Sequence, residues 1–218
     1  IKNVTIEKQQ IIILANSFLK RNELQYAIKT YQKGGKNLPA ENFHLELANA
    51  YSRANEIELM LSEYLDLLSK RPSSINQIQN LLQFRIFQNP DKTTKNILRT
   101  YLIKRIQKEP GNLQLNDMLI WYFIQVKDFE TAFTHAKAIN KREKDNGSKI
   151  LELAKTCYQN NAYTTAIHCY NYIIEKGTNN PYYISSKVEI LNILNKKILE
   201  SDFSKTDLLE LEKNYLTT

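Results

Sequence analysis

The feature that most restricts how this chain can fold is a repeat of about 34 residues, since a period of roughly 20–50 residues signals stacked supersecondary units. "DFETAFTHAKAIN" and "AYTTAIHCYNYII" both place an aromatic three residues before an alanine, and Ala132 and Ala166 stand 34 positions apart. Leu119 and Leu153, and Phe123 and Cys157, keep the same separation. The start of the chain follows the same order: Leu14, Ala15, Phe18, Ala27, Tyr31, Gly34 and Pro39 are matched 33 positions later by Leu47, Ala48, Tyr51, Met60, Tyr64, Leu67 and Pro72. With only five Gly and five Pro in 218 residues, the chain is poor in backbone breakers and reads as helix nearly throughout.

The spacing has a packing logic. Leu14 and Phe18 recur at i, i+4 and form one apolar stripe, while Ala15 is small enough to let its helix approach Ala27 on the next. Tyr31 and Tyr170 are expected to reach across to the following unit, so that no hairpin buries its apolar face alone. In "AKTCYQNNAYTTAIHCYNYIIEKGTNNP", "QNN" is the turn inside one hairpin, and Gly177 with Pro181 ends that unit. Asp128 is placed to cap the second helix of its hairpin, and Ser204 to cap a final helix. Asn89-Pro90 and Asn180-Pro181 each put a capping side chain before a proline suited to a first helical turn. Between Ser73 and Pro110 the pattern weakens into two helices about Asn89-Pro90, in a longer unit whose first helix has no secure register.

This order of Leu, small, aromatic, Ala, aromatic, small and Pro resembles the tetratricopeptide repeat (TPR), although the Trp common near its start is absent and Met60 replaces a small residue. The resemblance implies an all-α, right-handed α-solenoid of about six antiparallel helical hairpins. It would be a single array over 1–218, with approximate repeats 8–40, 41–73, 74–111, 112–146, 147–180 and 181–218. It also implies a concave face, lined by first helices, that binds a peptide or protein. Carried over position by position, the candidates on that face are Asn16, Lys20, Asn49, Arg53, Trp121, Gln125, Lys155, Tyr158 and Gln159. Asn16 and Asn49 match a place where family members hold a peptide backbone or terminal carboxylate. Ile12 stands where the lysine of that carboxylate clamp would be, so chaperone-tail recognition is not expected. Leu119, Phe123 and Val126 are read as the buried stripe of their helix, which leaves Trp121 as a candidate aromatic anchor. Lys20, Arg53 and Lys155 would favour an acidic segment in the partner.

Other chemistry finds little support. The net charge of +7 is spread along stretches such as "KRNELQYAIKTYQK", interleaved with acids, as in solvated helix faces. A helical RNA reader is the alternative, motivated by that charge and 13 tyrosines. Such readers repeat similar residue types at equivalent positions, whereas Asn16, Asn49 and Trp121 vary. A structural or regulatory segment of a larger multidomain protein is a third reading. His44, His135 and His168 fall on separate predicted helices without a carboxylate at ligand spacing, so no metal or cofactor is expected. Cys157 and Cys169 lack zinc spacing; by helical phase Cys157 is buried and Cys169 lies off the stripe, giving two unpaired thiols. No phosphate-binding glycine loop or nucleophile motif occurs, so no catalytic residue is assigned and the chain is expected not to be an enzyme. The longest apolar run, Ile11 to Ala15, is far too short to span a bilayer. Cytoplasmic and exported locations both stay open. The chain starts at Ile1 and ends inside an apparent helix, and is expected to be part of a longer protein.

Overall fold

The computed structural model describes residues 7–88, 91–199 and 204–217. It contains twelve α-helices among them, in sequential antiparallel order: α1 (Lys8–Lys20), α2 (Leu24–Asn37), α3 (His44–Arg53), α4 (Ile57–Lys70), α5 (Ile75–Leu82), α6 (Lys92–Lys108), α7 (Leu113–Gln125), α8 (Phe129–Glu143), α9 (Ser148–Gln159), α10 (Tyr163–Ile174), α11 (Tyr183–Leu199) and α12 (Lys205–Thr217), with α1 packed on α2, α3 on α4, α9 on α10 and α11 on α12. The chain divides into two compact units, Ile1–Leu119 and Ile120–Thr218.

Within the hairpins the small residues lie where the repeat requires them. Ala15 and Ala27, Ala48 and Met60, Ala154 and Ala166, and Ala132 are all fully buried. Met60 supplies volume where the other hairpins keep a methyl, which its flexible side chain tolerates. Gly34 marks a close approach: a Cβ there would lie 2.7 Å from Ile11 Cγ2 and 3.3 Å from Phe43 Cζ. Tyr31, buried on α2, stands with its ring 6.0 Å from that of Phe43 in the next hairpin, which is the reach expected of it.

Four hairpins share one turn. Asn22, Asn55, Lys127 and Asn161 have φ of 60°, 59°, 60° and 59°. The following N–H then bonds back to the carbonyl of Phe18, Tyr51, Phe123 or Cys157, in each case at 2.9 Å. This left-handed termination satisfies carbonyls that a helix end leaves unpaired. Asn adopts it more readily than lysine, because its short side chain tolerates that region. Asp128 caps α8 by accepting from the Thr131 N–H at 3.2 Å, as the sequence indicates.

Other positions depart from expectation. Asn89-Pro90 lies outside the described residues; α6 is capped by Asp91, which accepts from the N–H groups of Thr93 and Thr94 at 2.8 and 3.2 Å. The Thr94 hydroxyl and these N–H groups hold the Asp91 carboxyl down at about 2. Asn180 accepts from the Tyr182 N–H at 2.9 Å, but α11 begins only at Tyr183, so Pro181 sits in the turn ahead of it and not in the first helical turn. In the long third unit a π-helical turn, Gln83–Phe87, continues α5 and widens it where the repeat register is lost, and α6 runs to 17 residues against 14 in α2 and α4. Cys169 is fully buried, against its phase, because α10 packs on α8, α9 and α11 and so hides more than one stripe. Both thiols are free, and a hydrogen bond to Cys157, then burial, pushes the Cys169 thiol up.

Two substitutions test this packing. Ala166→Leu should overfill the α9–α10 contact and cost about 1–3 kcal/mol in denaturant unfolding. Lys127→Gly, which relieves a left-handed lysine, should raise stability by about 1 kcal/mol.

Candidate functional site

The first unit carries an open groove of about 570 Å³. Its walls come from the first helices of three hairpins at the i, i+4 spacing that keeps side chains on one face: Ile12 and Asn16 on α1, Leu45, Asn49 and Arg53 on α3, and Gln77 and Leu81 on α5, which Arg85 extends into the π turn. Tyr31 and Tyr64, from the second helices, line it from below. The Tyr31 hydroxyl donates to Asn16 Oδ1 at 3.1 Å, which orients that amide. Burial pushes the Tyr64 phenol up to about 12 and, with Glu46 adding to burial, raises that of Tyr31.

Two guanidinium groups dominate the groove's electrostatics. Arg53 Nη2 donates to the Leu19 carbonyl at 2.8 Å. Arg85 donates from Nε to Ser52 Oγ at 3.2 Å and from Nη2 to Asn55 Oδ1 at 2.7 Å. Each arginine thus fastens the inner turn of the preceding hairpin, a favourable place for a cation because helix C-termini carry partial negative charge. These partners are neutral, so each guanidinium keeps its full charge beside the groove. Glu46 is the one carboxylate among the lining residues. Phe84 at the rim is 72% exposed and Leu81 38%, which leaves apolar surface beside the charge.

Of the nine residues picked from sequence, Asn16, Asn49 and Arg53 share this groove. Lys20 is exposed at the end of α1 and is not among the lining residues. The others belong to the second unit. Trp121 and Gln125 are half-buried on α7, while Lys155 and Gln159 are exposed one turn apart on α9. Tyr158 has its ring 4.9 Å from Lys196 Nζ and 6.0 Å from the ring of Tyr163. The stripe invoked for α7 needs correction: Leu119 and Phe123 are buried but Val126 is exposed, and Tyr122 takes the inner place, with Phe123 stacked on His135 at 5.2 Å.

Gln77, Leu81, Phe84 and Arg85 escaped sequence reasoning because the third repeat has no readable register. A signal was present in "LLQFRIF", whose Leu81, Leu82, Phe84, Ile86 and Phe87 are more apolar residues than one helix face can bury.

The histidines also gain partners that sequence spacing hides. His44 Nδ1 lies 2.7 Å from Glu63 Oε2, and ligand atoms of His44, Glu63 and Asp66 fall within 4.8 Å of one another. Lys70 Nζ approaches His44 Nε2 at 3.0 Å and Arg105 pairs with Asp66, so cations already occupy the cluster and it works as a polar clasp between α3, α4 and α6. His168 meets Glu130 at 3.1 Å on the surface of the second unit.

No family model matches the chain, and no curated protein matches it. Among solved structures it is similar to the pilF protein of Pseudomonas aeruginosa, at 18% identity and a TM-score of 0.37 over 96% of this chain and 92% of that one. It is similar also to a thermophilic TPR protein of Thermus thermophilus, at 13% identity and 0.39 over 86% and 99%. The TPR domain of P58(IPK) matches at 10% identity and 0.32 over 94% and 72%. The fold is TPR-like. That statement rests on the paired helices, the buried alanines and the shared inner turn. No helix among the described residues is long and apolar enough to cross a membrane.

Tyr64 offers a pH test of the groove floor. A phenol whose folded pKa lies above its unfolded value near 10 supports the fold at lower pH, and that support is lost as pH rises from 10 towards 12. Tyr64→Phe should flatten the alkaline fall in stability over that window and remove a late-ionising phenol from the ultraviolet titration.

Proposed function

We propose that the chain is a non-catalytic interaction scaffold whose first unit binds an extended peptide segment of a protein partner, and that the segment carries a carboxylate next to an apolar side chain. The observation that carries this reading is the pairing, in one groove, of two arginines held by neutral acceptors with the exposed ring of Phe84. A bound carboxylate would meet Arg53 or Arg85 in charge-assisted hydrogen bonds. An apolar side chain would cover Leu81 and Phe84, the kind of aromatic contact that concentrates binding energy. Asn16 and Asn49, one per repeat, are spaced along the groove to bond successive peptide groups of an extended ligand. Trp121, with Gln125, Lys155, Tyr158 and Gln159, is a second candidate surface on the other unit, and Lys20 adds positive charge at the end of α1.

Selection of random linear peptides on the immobilised chain tests the proposal. Enriched sequences should pair Asp, Glu or a free C-terminus with a large apolar residue, and their affinity should weaken with salt. Arg85→Ala and Phe84→Ala should each weaken binding about tenfold or more, the ~1.4 kcal/mol of one good contact, with the melting temperature following the small cost of the lost turn contact. Enrichment of neutral or basic peptides would overturn the chemistry proposed. Salt-sensitive retention of single-stranded RNA that survives Arg53→Glu would favour a nucleic-acid reading instead.

A further inference from the structure

A polar hollow of about 500 Å³ opens in the second unit, where the bend from α8 into α9 lies beside the bend from α10 into α11. Its floor breaks the repeat. Asn140 stands eight residues after Ala132, and the same step from Ala27, Met60 and Ala166 reaches Gly35, Leu68 and Ile174. Only Asn140 carries a polar side chain at that place, and it is 4% exposed. A buried amide is tolerated when its hydrogen bonds are made. Asn140 Oδ1 accepts from the Tyr172 hydroxyl at 3.1 Å, and Nδ2 donates to the Asp145 carbonyl at 3.1 Å and to Asp145 Oδ2 at 3.3 Å. Across the hollow, Asn180 Nδ2 donates to the Asn146 carbonyl at 2.8 Å. The two bends are thereby tied to each other.

Positive charge collects around this floor. Lys141, Lys144 and Lys176, all exposed, line the hollow, and Asp145 is the one carboxylate among the lining residues. That carboxylate is turned into its own loop: Oδ2 accepts from the N–H groups of Gly147 and Ser148 at 3.2 and 3.0 Å and from the Ser148 hydroxyl at 3.0 Å. Glu143 pairs with Arg142 at 3.5 Å, and Glu175 is not among the lining residues. Lys176 Nζ donates to the Asp145 carbonyl at 3.1 Å and lies 5.1 Å from the centre of the Tyr172 ring, which fixes where its charge sits. Lys141 and Lys144 have no hydrogen-bond or ion-pair partner among the described residues. The C-terminal ends of α8 and α10 contribute about half a negative charge each, so together with Asp145 they balance two of the three ammonium groups and leave an excess of positive charge. Lys144 also has φ 54°, a conformation that Asn or Gly adopts with less strain, so the bend itself does not call for lysine.

We propose that this hollow binds a phosphoryl dianion, either inorganic phosphate or the phosphomonoester of a phosphorylated peptide. Lysines act on phosphate as point charges, whereas the planar fork of arginine, present in the groove of the first unit, suits a carboxylate. A phosphoryl group carries about two negative charges at neutral pH and three acceptor oxygens. Donors reach the hollow from as many sides: Lys141 and Lys144 from the end of α8, Lys176 from the end of α10, and the Asn179 amide from the bend before α11. The site belongs to the second unit alone and is independent of the peptide groove in the first.

Heteronuclear NMR of the 218-residue chain decides the matter, with inorganic phosphate and a phosphoserine peptide as probes. Sodium chloride at matched ionic strength and the same peptide with glutamate in place of phosphoserine are the controls. The backbone amides of Asn146, Gly147, Asn179 and Asn180 should shift saturably with a phosphate probe and not with chloride. Lys141→Ala combined with Lys144→Asn should weaken binding about tenfold or more. Lys144→Asn alone should leave the unfolding midpoint unchanged or raised, because asparagine keeps the left-handed bend, and Phe84→Ala should leave phosphate binding unchanged. Equal affinity for the two probes would identify the free anion as the ligand, and tighter binding of the phosphopeptide a modified partner. A glutamate peptide that binds as tightly as the phosphopeptide would overturn the phosphoryl assignment. The absence of saturable shifts with either probe, or shifts that the double variant retains, would overturn the site.

Discussion

The close approach of paired helices is the constraint on which the rest depends. With Ala15 and Ala27 buried in the α1–α2 pair, and Ala154 and Ala166 in the α9–α10 pair, backbones can come near enough for the longer side chains on either side to interlock, and those side chains set the distance to the next hairpin. The turn enforces the same geometry from the other end. A left-handed residue followed by one back-bonded N–H returns the chain in a fixed direction, and four hairpins repeat it with nearly identical φ. Helix pairing and turn chemistry thus agree, which is what makes short helices cooperative when each would be marginal alone.

The groove follows from that repetition. Because each first helix presents the same face, residues four apart on α1, α3 and α5 fall into rows, and the chemistry of the rows is set one repeat at a time. Side-chain amides come from all three hairpins, as Asn16, Asn49 and Gln77. Apolar surface and a second guanidinium come from the third, where the π turn sets Phe84 and Arg85 side by side at the rim. The polar clasp of His44, Glu63, Asp66, Lys70 and Arg105 lies apart from the groove lining and ties three helices of the same unit together. Its charges are spent on each other.

What the sequence reveals is whatever repeats. Alanine niches, the "QNN" turn and the reach of Tyr31 were legible because several copies of one pattern reinforce each other. The third hairpin was not, since a local π turn shifts its phase, and with it went Gln77, Leu81, Phe84 and Arg85. Cys169 was misjudged because phase against a single stripe assumes one buried face, and α10 has neighbours on several sides. Val126 was misjudged for a related reason: Tyr122, one turn earlier, already fills the inner place on α7. The carboxylates beside His44 come from another helix, which no spacing along the chain can show. Asn16, Asn49 and Arg53 fell into one groove because they belong to the two hairpins whose register was clearest.

The arginine contacts give the groove a mechanical side. Arg53 and Arg85 do not wait idle in solvent; each is tethered to the bend of the hairpin before it. An anion that draws Arg85 towards itself must loosen its hold on Ser52 and Asn55, so occupancy and cohesion between neighbouring hairpins compete for one side chain. The first unit is in this sense a spring with its catches facing the groove, and an anion bound there would also set how firmly its hairpins are clipped together.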